Sequence, residues 1–228
     1  MPAVTRAQLI SDTREYMDAV QSTRWSDSFI QTVLNAVYDA EWSNILNAAP
    51  YYRFAQRNVT TDANGQVALT ALDSGGGDSQ QLLYRVMSVS DGNVLYTETR
   101  FQDVPLATTT NYLPVYDRLY YLTGTYLQAL PVAFGVGLYI GINYKPTALS
   151  DLASDASVLD WPPNSHLVLV YQGAYQLLLK GGAEAQSASY LKKLAEEERA
   201  TMLDDLRRQT INPTRLAYPD QKWDWSGG

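Results

Sequence analysis

The chain has 228 residues, enough for one large domain or for one domain carrying a sizeable insertion, and enough to bury a self-sufficient core. Seventeen Lys and Arg against 24 Asp and Glu leave a net charge of −7, which argues against a nucleic-acid binder that grips phosphates. Cysteine is absent, so disulfides, thiolate chemistry and cysteine-bearing zinc sites are excluded, as expected of a protein assembled in a reducing cytoplasm.

Charged residues make up only 18% of the chain, against about a quarter in typical domains. Ser, Thr, Asn, Gln and Tyr fill the difference. The 17 Tyr and 5 Trp suit either protein interfaces or the paving of β-strands. No apolar run follows the early charge of the first six residues, so no signal peptide is expected. The most apolar stretch, 119–144, is interrupted by Gly124 and Pro131, so no membrane span is expected either.

Two amphipathic helices are predicted first. Thr5 and Gln8 have capping-box spacing, with Leu9, Ile10, Met17 and Val20 as the apolar face. In the second helix Ser26 is the N-cap, and Trp25 and Ile30 are spaced as a hydrophobic staple. Phe29, Ile30, Val33, Leu34, Val37, Tyr38, Trp42, Ile45 and Leu46 recur at the helical period until Ala49-Pro50 ends it. Residues 51–147 read as β. The turn Asp62-Ala63-Asn64-Gly65 predicts a hairpin between 58–61 and 66–72. Ser90-Asp91-Gly92-Asn93 predicts another between 81–89 and 94–99, and Thr123-Gly124-Thr125 a third between 119–122 and 126–130. Residues 138–144 form a further strand, and the loop 73–79 with Gly75-Gly76-Gly77 is expected to be mobile. Trp161-Pro162-Pro163-Asn164 then enters a helix over 167–179 that is apolar nearly all round and stops at Gly181-Gly182. A last helix spans 185–208, with Tyr190, Leu191, Leu194, Met202, Leu203 and Leu206 facing inward and Glu196-Glu197-Glu198-Arg199 facing solvent.

The expected fold is α+β: a four-helix bundle of two N-terminal and two C-terminal helices, an inserted antiparallel β domain and an extended C-terminal tail. Its units are 1–50, 51–147, 148–210 and 211–228.

Catalytic signals are missing from this pattern. The single histidine, His166, rules out a multi-histidine metal site or a histidine triad within one chain and reads as an ordinary helix-start residue. The glycine run lacks the Lys and Ser/Thr of a phosphate loop. Asp151, Asp155 and Asp160 lack the closing Glu of a calcium loop, and the consecutive Glu196-Glu197-Glu198 cannot converge on one ion. No catalytic, cofactor-binding or metal residue is therefore assigned, and no cofactor is expected. The tail supplies the one site: Ile211, Leu216, Tyr218, Trp223 and Trp225 are apolar anchors on an otherwise polar, proline-interrupted segment suited to docking in a partner's groove.

The order of elements resembles the head-to-tail adaptor (connector, head-completion or neck) proteins of tailed bacteriophages. It rests on Thr5-Arg6-Ala7-Gln8-Leu9-Ile10, Trp25-Ser26-Asp27 opening Val33-Leu34-Asn35-Ala36-Val37-Tyr38-Asp39-Ala40-Glu41-Trp42, Phe101-Gln102-Asp103-Val104-Pro105, Trp161-Pro162-Pro163, and Leu194-Ala195-Glu196-Glu197-Glu198-Arg199. The resemblance implies a non-enzymatic virion protein of the neck, forming a ring, commonly of twelve copies, between the portal and a tail or nozzle protein. Genomic DNA would pass through its lumen without specific binding, and the C-terminal segment would reach the portal. Three alternatives make different predictions. Another neck or tail-completion protein would look much the same. A carbohydrate-binding tail module would group aromatics on an exposed β face. A carboxylate enzyme would face two acids across a cleft.

Overall fold

The computed structural model describes residues 4–17, 24–76, 80–100, 118–130, 135–182 and 185–211. Among these residues four α-helices form: α1 (Arg6–Glu15), α2 (Asp27–Ala48), α3 (Leu167–Gly181) and α4 (Ala185–Ile211). Thr5 caps α1 through Gln8 N–H, 3.2 Å from its Oγ1, but the Gln8 side chain turns to Asp12, so the reciprocal half of the box is unmade. Ser26 caps α2 by accepting from Phe29 N–H, while Trp25 stacks on Phe29 at 4.6 Å rather than on Ile30, which is buried in the core. Asn164, left-handed at φ 62°, turns the chain into α3, with Ser165 Oγ donating to Pro162 O.

The predicted four-helix bundle is not what forms. The buried, apolar α3 is the hub, packed against α1, α2 and α4, whereas α2 meets α1 and α4 only narrowly. The ten-residue α1 is too short to line one side of a bundle. The irregular segment after the sheet takes its place, adding Leu149, Leu152, Leu159 and Trp161 to the helical core. At Gly173 a Cβ would lie 2.6 Å from Leu34, so glycine lets α2 and α3 approach closely. Trp42 is buried among Tyr38, Tyr52 and Trp161.

Seven strands follow: β1 (Phe54–Thr60), β2 (Gln66–Ala68), β3 (Gln81–Ser90), β4 (Leu95–Glu98), β5 (Leu119–Leu122), β6 (Tyr126–Leu130) and β7 (Gly137–Pro146). They form one sheet in the order β1-β7-β3-β4-β5-β6-β2. Two predicted hairpins, β3–β4 and β5–β6, form. The one predicted at Asn64-Gly65 does not, and the sheet is not purely antiparallel, because β4 and β5 run parallel. The Asn-Gly turn itself closes, with Asp62 Oδ1 accepting from Asn64 and Gln66 N–H and Gly65 at φ 72°. Its two strands then diverge, β1 to β7 and β2 to β6. A four-residue turn thus joins the two ends of the sheet, which curls it into a nearly closed barrel with its own core around Leu127, Leu138, Ile140 and Ile142.

Candidate interaction surfaces

Of the five predicted tail anchors, Ile211 is the last residue of α4, and Leu216, Tyr218, Trp223 and Trp225 lie outside the described residues. The helix that leads to them is firmly seated. Leu191, Ala195, Met202 and Leu206 are buried along α4. Tyr190, predicted to face inward, is 63% exposed. Arg199, predicted to face solvent, instead reaches in to the α2 carboxylate of Glu41, which is only 2% exposed, with Arg199 Nε 2.8 Å from Glu41 Oε2. A carboxylate within an apolar stripe needs a bonded cation, and local periodicity could not foresee which one. Three further pairs run along the outer side of α4: Lys192 with Glu196, Lys193 with Glu197, and Arg208 with Asp204.

Polar and cation–π contacts join the helical and sheet cores. Arg53 pairs with Asp160 and lies over the rings of Trp42 and Tyr52, each 5.4 Å away, and of Tyr144 at 5.8 Å. Lys145 of β7 reaches Asp39 Oδ1 at 2.8 Å and Ser43 Oγ at 3.0 Å on α2. Of the three aspartates considered for calcium, Asp155 pairs with Arg6, Asp160 with Arg53, and Asp151 accepts from Ser150 Oγ. His166 precedes α3 with its Nε2 3.9 Å from Asp12 Oδ2. Among the described residues no three His, Cys, Asp or Glu side chains gather as metal ligands, and no helix is long and apolar enough to cross a membrane.

Among the described residues, two open surfaces stand out. A groove of about 880 Å³ lies where α1 ends and α4 begins, lined by Tyr16, Met17, Leu178, Tyr190 and Leu191 among others. Beside this end of the helices, Arg24 lies over Trp25 at 5.0 Å and Lys180 over Phe29 at 5.3 Å. The second surface is the outer face of β1-β7-β3-β4. Cross-strand register places Asn58, Tyr139, Ser90 and Leu95 in one row, and Gln56, Gly141 and Ser88 in the next. Leu95 is 68% and Tyr139 40% exposed, while Val89, Tyr96, Leu138 and Ile140 on the opposite side are buried. At Gly141 a Cβ would sit 2.4 Å from Ser88 Oγ and 2.8 Å from the Phe54 ring, so glycine keeps this floor flat.

Helices gathered on an apolar hub and a curled sheet strutted to them define an α+β protein with two cores. One comparison places it more narrowly. The family model of the SU10 adaptor protein matches residues 4–217, and the chain belongs to this family of phage head-to-tail adaptors. No curated protein matches the chain.

Proposed function

We propose that the protein is a structural adaptor of the phage neck that forms a ring beneath the portal, joins capsid to tail and lets genomic DNA pass. Family membership over residues 4–217 is the observation that carries this reading. The charge balance agrees with it: a chain of net charge −7 with no basic run lets phosphates slide rather than holding them. In this reading a ring of twelve copies contacts the portal on one side and a tail or nozzle protein on the other. The units 1–50, 51–147, 148–210 and 211–228 then divide the work, with the sheet acting as a semi-independent insertion.

The C-terminal segment is the portal-binding element in this reading. Residues 212–228 follow a helix held in the core as far as Leu206, and seventeen extended residues reach up to roughly 56 Å. Ile211, Leu216, Tyr218, Trp223 and Trp225 supply the apolar anchors. Truncation after Gln209 tests it: the shortened protein should keep its helical circular dichroism and lose co-sedimentation with the portal. Retained co-sedimentation at unchanged affinity would move the contact elsewhere on the chain.

A further inference from the structure

We infer that the outer face of β1-β7-β3-β4 is a copy-to-copy contact, its occupant a second copy of this chain. The inference rests on the ring reading above and names the surface through which neighbouring copies meet. The face runs between Arg85, which is held by Asn47 on the helical side, and the hairpin tip at Asp91. Between them the outward positions, Gln56, Asn58, Ser88, Ser90, Tyr139 and Leu95, carry no charge. Elsewhere the surface is conventional, and the outer side of α4 is laced with ion pairs.

Chemistry selects the occupant. A DNA phosphate would need cations, and a basic partner would need carboxylates; this face offers neither. Copies of a chain with net charge −7 repel one another, so the place where they meet must be free of like charge, as this face is. Tyr, Ser, Gly and Asn on a flat floor make an adaptable contact surface of modest strength. The face continues to the outer edge of β1, which among the described residues pairs only with β7. Four strands about 4.8 Å apart and some five residues long cover a few hundred Å², well under the roughly 800 Å² per partner of a stable pair. Such a contact is too small to hold two copies alone and suits a closed ring, in which every copy is held by two neighbours.

The absence of cysteine makes the test clean. Sedimentation velocity over a concentration series would compare the unaltered full chain with Asn58→Glu/Leu95→Glu, and with Ala200→Glu on α4 as a control. Both altered positions on the sheet are exposed, and a native thermal melt checks that the variant is folded. The account expects the unaltered chain and the control to assemble at the same concentration. The double variant should need a concentration more than about tenfold higher, because each contact then holds buried like charge. A second readout uses Asn58→Cys, whose labelling by a maleimide should slow at least severalfold in the assembled fraction relative to the 25.4 kDa monomer. If the unaltered chain assembles and the double variant assembles equally well, with Asn58→Cys labelled at the same rate in both states, the face is not the contact and the ring reading survives. If the unaltered chain stays a monomer throughout the series, the inference and the self-assembling ring fall together.

Discussion

The outer side of α4 and the outer side of the barrel are both solvent-facing, yet they are built on opposite rules. On α4 the charges alternate in sign and pair at i,i+4, the pattern of a surface that is meant to stay wet. Across the outward positions of β1-β7-β3-β4 between Arg85 and Asp91 charge is absent, and Tyr139 and Leu95 stand exposed beside glycine and serine. The contrast extends inward. The helical core is large and continuous and holds one bonded ion pair, Glu41–Arg199, whereas the sheet core is smaller and reaches the helices through Arg53 and Lys145. The helical part is thus a frame with its own core, and the sheet, built on a second core, is tied to it by the struts at Arg53 and Lys145 and by Tyr84.

The largest effect should come from breaking the frame. Arg199→Met leaves the Glu41 carboxylate buried without its cation and should cost about 3–5 kcal/mol in denaturant melts. A loss under about 1 kcal/mol would show that Glu41 is wet or protonated and the frame less dry than described. Arg53→Met tests the strut. It removes the Asp160 pair and three cation–π contacts, and should cost about 1–3 kcal/mol while splitting one unfolding transition into two, helical and sheet. A single transition shifted by the same amount would mean that the two cores are coupled without it.

Alkaline titration distinguishes the cores more gently. Burial pushes the phenol of Tyr38, in the helical core, up to about 12, and burial with the neighbouring Glu98 does the same for Tyr120 in the sheet. In the unfolded chain these phenols ionise near 10, so between pH 10 and 12 the unfolded state binds fewer protons than the folded one. Stability should therefore hold below pH 10 and fall across that window. Tyr38→Phe should flatten the fall, and an unchanged slope would show that Tyr38 ionises freely in the fold. The smallest effect belongs to the α1 cap. Thr5→Ala removes the acceptor for Gln8 N–H and should cost about 1 kcal/mol, with Thr5→Ser restoring most of it.

Legibility of the fold followed the range of the signals. The caps at Thr5 and Ser26, the apolar stripe through Trp42, the tight turns after Ser90 and Leu122 and the entry at Asn164 are all written within a few residues of where they act. Pairings between distant residues were not. Nothing near Asn64-Gly65 states that β1 will choose β7 and β2 will choose β6, because both partners lie more than 50 residues on and the turn geometry is satisfied either way. The bundle failed for the same reason: helical period marks a face for burial without saying that α3 would be the hub and that the segment around Leu149 and Trp161 would fill the side α1 leaves open. The proposed tail anchors are a reading of composition that lies mostly outside the described residues, and the uncharged sheet face could not be read from the sequence at all. Its residues come from four strands, and only the register places Asn58, Tyr139, Ser90 and Leu95 in one row.

Native mass spectrometry of the full chain, alone and mixed with the portal of the same phage, tests the adaptor account most directly. The account predicts a closed multiple of the 25.4 kDa chain, twelve in the reading proposed here, seated as a single ring on the portal. A chain that remains monomeric in the mixture and leaves the mass of the portal unchanged would contradict it.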